Sequence, residues 1–136
     1  MNRSHTALVL AKIAALDSRS LDDPKGTTTP ILDTWHELIG HLRFEDCMQA
    51  VTEHRRESTE WLLPAHIITR VKAIRAARID RIPEADLMRD YGAIESGQSA
   101  RDYVTALRAR TRLLGDGLSL PEVIASTPKA ITAGAR

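Results

Sequence analysis

The stretch Trp35–Ile79, WHELIGHLRFEDCMQAVTEHRRESTEWLLPAHIITRVKAIRAARI, decides the fold. It holds both tryptophans, the phenylalanine, the cysteine and four of the five histidines of the 136-residue chain. Its apolar residues recur every three or four positions, the period that gathers side chains on one side of an α-helix. They form three consecutive runs, joined by a tight corner and a short loop, which predicts the packed centre of a small helical domain.

The first run begins a few residues upstream. Thr29-Pro30 reads as an N-cap followed by proline at the first helical position. Ile31, Leu32, Trp35, Leu38, Ile39 and Leu42 then share one arc of about 120°, with Asp33 and Glu37 away from it. Gly40 and the pair Leu42-Arg43 make the corner. The second run goes from Phe44 to about Glu57, with Phe44, Cys47, Met48 and Val51 inside and His54 at the edge. Glu45 and Asp46 in its first turn and Arg55 and Arg56 in its last suit the helix dipole. Ser58 to Leu63 is a loop, and burial of its Trp61 would be favourable. Pro64 opens the third run, to about Arg81. Ile67, Ile68, Val71 and Ile74 serve the core, and Arg75 and Arg78 then take over the same angles. The last turns are therefore expected to project past the core and show cations. Trp35 is expected in the core among Leu8 or Ile13, Leu38, Met48 and Ile67.

Outward from this centre, a helix is predicted from Ser4 or His5 to about Ser18, with Val9, Ile13 and Leu16 on one face and Leu8 and Leu10 at its margins. Ser18 to Thr28, with Asp22, Asp23, Pro24 and Gly26, reads as a loop. Beyond Ile82-Pro83, Glu84 to Tyr91 forms a short helix and Gly92 to Gln98 a polar linker. Ser99 with Asp102 resembles a capping box. The helix it opens runs to about Leu114, where Gly115 and Gly117 end it. Tyr103, Val104, Leu107 and Leu114 face one way; Arg101, Arg108 and Arg112 face the other. Ser119 and Glu122 cap one more turn. The expected architecture is all-α: a compact bundle of about four helices, then a linker and a C-terminal amphipathic helix. The expected divisions are a helical domain over 1–82, a short helix and flexible linker over 83–98, a helical segment over 99–126 and a disordered tail over 127–136.

Net charge is +1, so no global charge draws the chain to nucleic acid or membrane. The distribution is uneven. Leu32 to Glu60 carries seven acids and three bases, whereas His66 to Arg81 carries five bases and one acid. Arg70, Lys72, Arg75, Arg78 and Arg81 are thus candidate contacts with nucleic acid or an acidic partner. A single cysteine forbids an internal disulfide and fits a reducing compartment. No apolar run reaches the roughly 20 residues of a membrane span, and Lys12 interrupts the run Ala7 to Leu16, so a cytoplasmic protein is expected.

His36 and His41 look at first like the pair of a zinc-protease helix. That motif needs spacing i, i+4 to place two ligands on one face, and here the spacing is i, i+5 with Gly40 at the position required. Cys47 and His54 are seven residues apart on one helix, about 10 Å by rise, too far for a thiol–imidazole nucleophile. Neither a phosphate-binding glycine loop nor a Ser/His/Asp arrangement can be placed. The reading carries no catalytic residue, no metal and no cofactor.

With these residues in view, the chain resembles the phage helicase loader-and-inhibitor family. The likeness rests on Leu8, Ile13 and Leu16, then Asp33, Trp35, His36, Glu37 and Leu38. Leu42, the run Phe44 to Val51 and His54 follow, and last Leu63-Pro64 with Ile67, Ile68 and Val71. It covers about residues 6 to 80. The resemblance implies a cytoplasmic replication protein, in the host cytoplasm if phage-encoded. It implies a helical N-terminal domain that meets an origin-binding replisome organiser, and a flexible C-terminal region that engages a hexameric replicative helicase. Such a protein carries helicase to the origin and restrains its ATPase until delivery. The sequence departs in having a firm amphipathic helix over Ser99 to Leu114, whose Tyr103, Val104, Leu107 and Leu114 are the expected partner-binding face. The alternative is a small nucleic-acid-binding or transcription-regulating protein that uses the basic helix 64–81.

Overall fold

A computed structural model describes residues 1–17, 28–92, 94 and 96–127. Among them are seven helices and no strand, so the fold is all-α as expected. The helices are α1 (Arg3–Leu16), α2 (Thr28–Ile39), α3 (Phe44–Glu57), α4 (Pro64–Asp80), α5 (Glu84–Leu87), α6 (Gly97–Gly115) and α7 (Leu120–Ser126). The loop expected from Ser18 and the tail expected beyond Thr127 lie outside the described residues. The chain divides into two compact units, Met1–Ile74 and Arg75–Arg136, so the division falls inside α4 and not at the 82/83 boundary read from the sequence.

In the first unit α1 packs on α2 and α3. Asn2 caps α1 by accepting the His5 N–H at 2.8 Å. The buried stripe of α1 is Thr6, Val9 and Ile13, followed by Asp17 just past its end. Leu16 sits at the margin of that stripe and is 48% exposed, not the core residue expected. Polar ties fix the register of α1. Lys12 Nζ donates to the Met48 carbonyl at 2.8 Å and to Thr52 Oγ1 at 2.6 Å, and Asp17 pairs with Arg55 at 3.0 Å with both side chains largely buried. The core gathers Val9, Ile13, Trp35, Ile39, Cys47, Val51, Leu62, Ile67 and Val71, with Met48 packed against it. Trp35 is buried as expected, whereas Leu8 and Leu38, expected around it in the core, are 53% and 44% exposed.

Helix α2 begins at Thr28, which places the expected cap Thr29 inside it, and ends at Ile39. Gly40 follows because a Cβ there would stand 2.4 Å from the His36 carbonyl oxygen. Helix α3 has the bounds read from its sequence. Its inner face also buries Asp46, 3.3 Å from Arg43, and His54. In the loop that follows, Leu62 is fully buried and Trp61 only half-buried.

The second unit contains the end of α4 and the helices α5, α6 and α7; α6 packs on both of the others. Leu87, Leu114 and Val123 form its core, with Ile82, Leu107, Leu113, Leu118 and Leu120 around them. The cap of α6 is Ser96, three residues before the serine read as the cap. Its hydroxyl oxygen accepts the Ser99 N–H at 3.1 Å, and Ser99 Oγ accepts the Ser96 N–H at 2.8 Å. The helix closes in a Schellman turn: Gly117 (φ 95°) donates to the Leu114 carbonyl and Leu118 to the Leu113 carbonyl. Ser119 and Glu122 form the expected capping box of α7. The Ser119 hydroxyl and backbone N–H hold the Glu122 carboxyl below its usual range.

Candidate functional site

The basic run of α4 is largely engaged within the protein. In the first unit Arg70 Nη1 donates to Glu57 at 2.9 Å, and Lys72 is exposed. In the second unit Arg75 pairs with Asp116 at 2.5 Å and Arg78 Nη1 donates to the Gly115 carbonyl. Arg75 and Arg78 thus serve the C-terminus of α6, where backbone carbonyls lack helical partners and a cation is favoured. The expectation that both project past the core is corrected: each is half-buried against α6. Gly115 permits this approach, since a Cβ there would lie 3.1 Å from Arg75 Nη2 and 3.3 Å from Ile79 Cδ1. Arg81 is exposed.

The apolar face read on α6 is divided between core and surface. Leu114 is buried and Leu107 packs against the same core. Tyr103 meets Tyr91 edge-on at 5.5 Å between ring centroids, and its hydroxyl donates to Glu84 at 2.8 Å, a bond that raises the phenol's ionisation range. Val104 is 43% exposed. Beneath this face sits a group that the sequence reading missed. Arg110 lies on the same arc and is completely buried. Its Nη1 donates to the Leu87 carbonyl at 2.8 Å and to Asp90 at 2.7 Å; its Nε donates to Thr127 at 2.7 Å. The guanidinium carbon stands 5.8 Å from the Tyr91 ring centroid. Thr127, read as the first residue of a disordered tail, is buried by this bond. A clue was present: Arg110 falls at apolar spacing between Leu107 and Leu114.

A second feature missed in the sequence is a hollow of about 290 Å³ lined by His54, Ser58, Glu60, His66, Thr69 and Arg70. The His54 and His66 rings stack at 4.8 Å. His54 Nε2 donates to the Glu60 carbonyl at 3.1 Å, and His66 Nδ1 accepts the Leu63 N–H at 3.0 Å. Arg70, the one formal cation on the lining, is already paired with Glu57.

The remaining chemistry-bearing residues are placed as follows. His36 Nδ1 is 2.8 Å from Thr6 Oγ1 and His41 is exposed. Cys47 is fully buried, and burial with the nearby Asp46 charge pushes its thiol up to about 11, so it is protonated near neutral pH. Among the described residues no three His, Cys, Asp or Glu side chains gather as metal ligands, and no helix is long and apolar enough to cross a membrane. Comparison with protein-family models, with curated proteins and with solved structures finds no match to this chain.

Proposed function

We propose that the chain is a phage or prophage replication adaptor that binds a hexameric replicative helicase and restrains it until delivery. The observation that carries this reading is a coincidence of extent. The resemblance spans about residues 6 to 80, and its members Ile13, Trp35, Cys47, Val51, Ile67 and Val71 meet in the core of one compact unit, Met1–Ile74. The positions that carry the resemblance thus lie in one folded unit, which is what the family's helical N-terminal domain requires. The alternative, nucleic-acid binding by the basic helix 64–81, draws less support, since Arg70, Arg75 and Arg78 already have acceptors within the protein. For the partner face on α6, Leu107 and Leu114 serve the core, which leaves Val104 and Tyr103 for a helicase contact.

The test is capture of helicase by tagged full-length protein from phage-infected or lysogenic cells, followed by ATPase assay of the recovered helicase. Stoichiometric recovery with reduced ATPase is expected. Failure to bind purified phage or host helicase at micromolar concentrations would remove the reading.

A further inference from the structure

Three arginines of α6 take no part in the second unit's core and in none of its ion pairs. Arg101, Arg108 and Arg112 are all exposed. Steps of seven and four residues place them within about 40° of one another around the helix, over about 16 Å of its length. Of the other arginines described in this unit, Arg75 pairs with Asp116, Arg89 with Asp86 and Arg110 with Asp90, Arg78 donates to the Gly115 carbonyl, and Arg81 is exposed. Among the described residues the three of the stripe have none. Exposed Thr105 lies between them on this face and Val104 at its margin with the apolar arc, so no acid interrupts the stripe between Arg101 and Arg112. Asp102 lies about 100° away around the helix and accepts from Gln98 at 2.9 Å. Like charges at i, i+4, as at Arg108 and Arg112, repel. An anionic partner would relieve that repulsion.

We propose that this stripe docks the sugar–phosphate backbone of double-stranded DNA. Guanidinium groups suit phosphate because their planar donors can bond two of its oxygens at once. Single-stranded nucleic acid is bound through aromatic stacking platforms, and the stripe has no ring; Tyr91 and Tyr103 are packed on each other. Arginine can also read guanine edges in the major groove, but three like-charged guanidinium groups strung along one exposed helix face match successive phosphates. The contact assigned to the stripe is that one alone, and it is independent of base sequence. This site is distinct from the basic run of α4 and does not depend on the helicase reading.

The experiment is fluorescence anisotropy of a labelled mixed-sequence 25-base-pair duplex with full-length protein, over a series of salt concentrations. Three phosphate contacts give a log–log slope near −2.7, so affinity should fall about 40-fold between 50 and 200 mM salt. The triple variant Arg101→Gln, Arg108→Gln, Arg112→Gln should lose at least about tenfold in affinity at 50 mM salt and most of that slope. Its helix content should be intact, because Gln is a good helix former. The corresponding triple Lys variant should keep the slope, and Arg56→Gln, an exposed change on α3, should change nothing. No duplex binding at 50 mM salt, an unaltered triple Gln variant, or tighter binding to the single strand would each overturn the proposal. So would loss of helicase capture by the triple Gln variant where the wild type binds no duplex; that result would assign the stripe to an acidic protein surface.

Discussion

Replacing Arg110 by methionine should cost the second unit most of its stability. Methionine fills similar volume but donates nothing, so the Leu87 carbonyl, Asp90 and Thr127 all lose the guanidinium that joins them. Removing one partner of a buried ion pair costs about 3–5 kcal/mol. The Asp90 side chain keeps 25% of its exposure, so water can take over part of the lost interaction and about 3 kcal/mol is expected. A small folded unit has only about 5 kcal/mol or so to lose. Urea titration with two probes reads the effect. Both tryptophans, Trp35 and Trp61, lie in Met1–Ile74 and report that unit, whereas far-UV ellipticity reports every helix. Part of the ellipticity should be lost at a midpoint about 2–3 M lower, given a slope near 1 kcal/mol per molar for a small unit. The tryptophan transition should move much less. Adding Asp90→Leu should restore more than half of the loss, because removing both charges leaves neither one unpaired. A shift below about 1 kcal/mol for the single variant, or a double variant as unstable as the single, would refute the reasoning.

Trp35→Ala should destabilise the first unit by about 3–5 kcal/mol in the same titration, since the ring is buried in that unit's core. Arg75→Glu with Arg78→Glu should lower the ellipticity midpoint by the equivalent of about 1–2 kcal/mol, as a pair and a carbonyl bond at the end of α6 are lost from half-exposed positions. Cys47 gives an alkaline prediction. An unfolded thiol begins to ionise near its ordinary value of 9.0, whereas the folded one keeps its proton to about 11. Its contribution is therefore fully present below pH 9 and is lost as pH rises toward 11, by up to about 3 kcal/mol. Cys47→Ala should flatten that part of the stability–pH curve, and thiol reagent at pH 8 should label the wild type only as fast as it unfolds.

The helices were legible where periodicity and end chemistry agreed. Phe44 to Glu57 is bounded by acids at its start and bases at its end, and Ser119 with Glu122 is a complete capping signal; both were read as they stand. The cap of α6 was misplaced because Ser96 and Ser99 are equally good caps by composition. The choice between them is made by reciprocal bonds over Gly97 and Gln98. The residues that deserved a function were less legible. A pattern of apolar spacing assigns Leu16 and Leu38 to the core, takes Asp46 as a first-turn acid and His54 as an edge residue, and passes over Arg110 because it is charged, although it falls at core spacing. Burial follows what each can bond with: Asp46 has Arg43, His54 has the Glu60 carbonyl and Arg110 has three acceptors from distant positions. The partners of Arg110 lie up to 23 residues away in the chain, beyond the reach of any helical period. The same holds for Arg75, whose acceptor Asp116 is 41 residues on.

One small feature constrains what evolution could put at position 66. His66 is the third residue of α4, and its Nδ1 accepts the N–H of Leu63 just ahead of the helix, the office that Glu or Gln fills in a capping box. An imidazole that accepts at Nδ1 carries its remaining proton on Nε2, so this ring is a single tautomer with a fixed direction of polarity. Its face meanwhile lies on His54. Glutamine could do the capping and not the stacking; phenylalanine could stack and not cap. Histidine alone among the common side chains meets both demands, so position 66 should tolerate substitution far less than a half-buried residue near a loop ordinarily does.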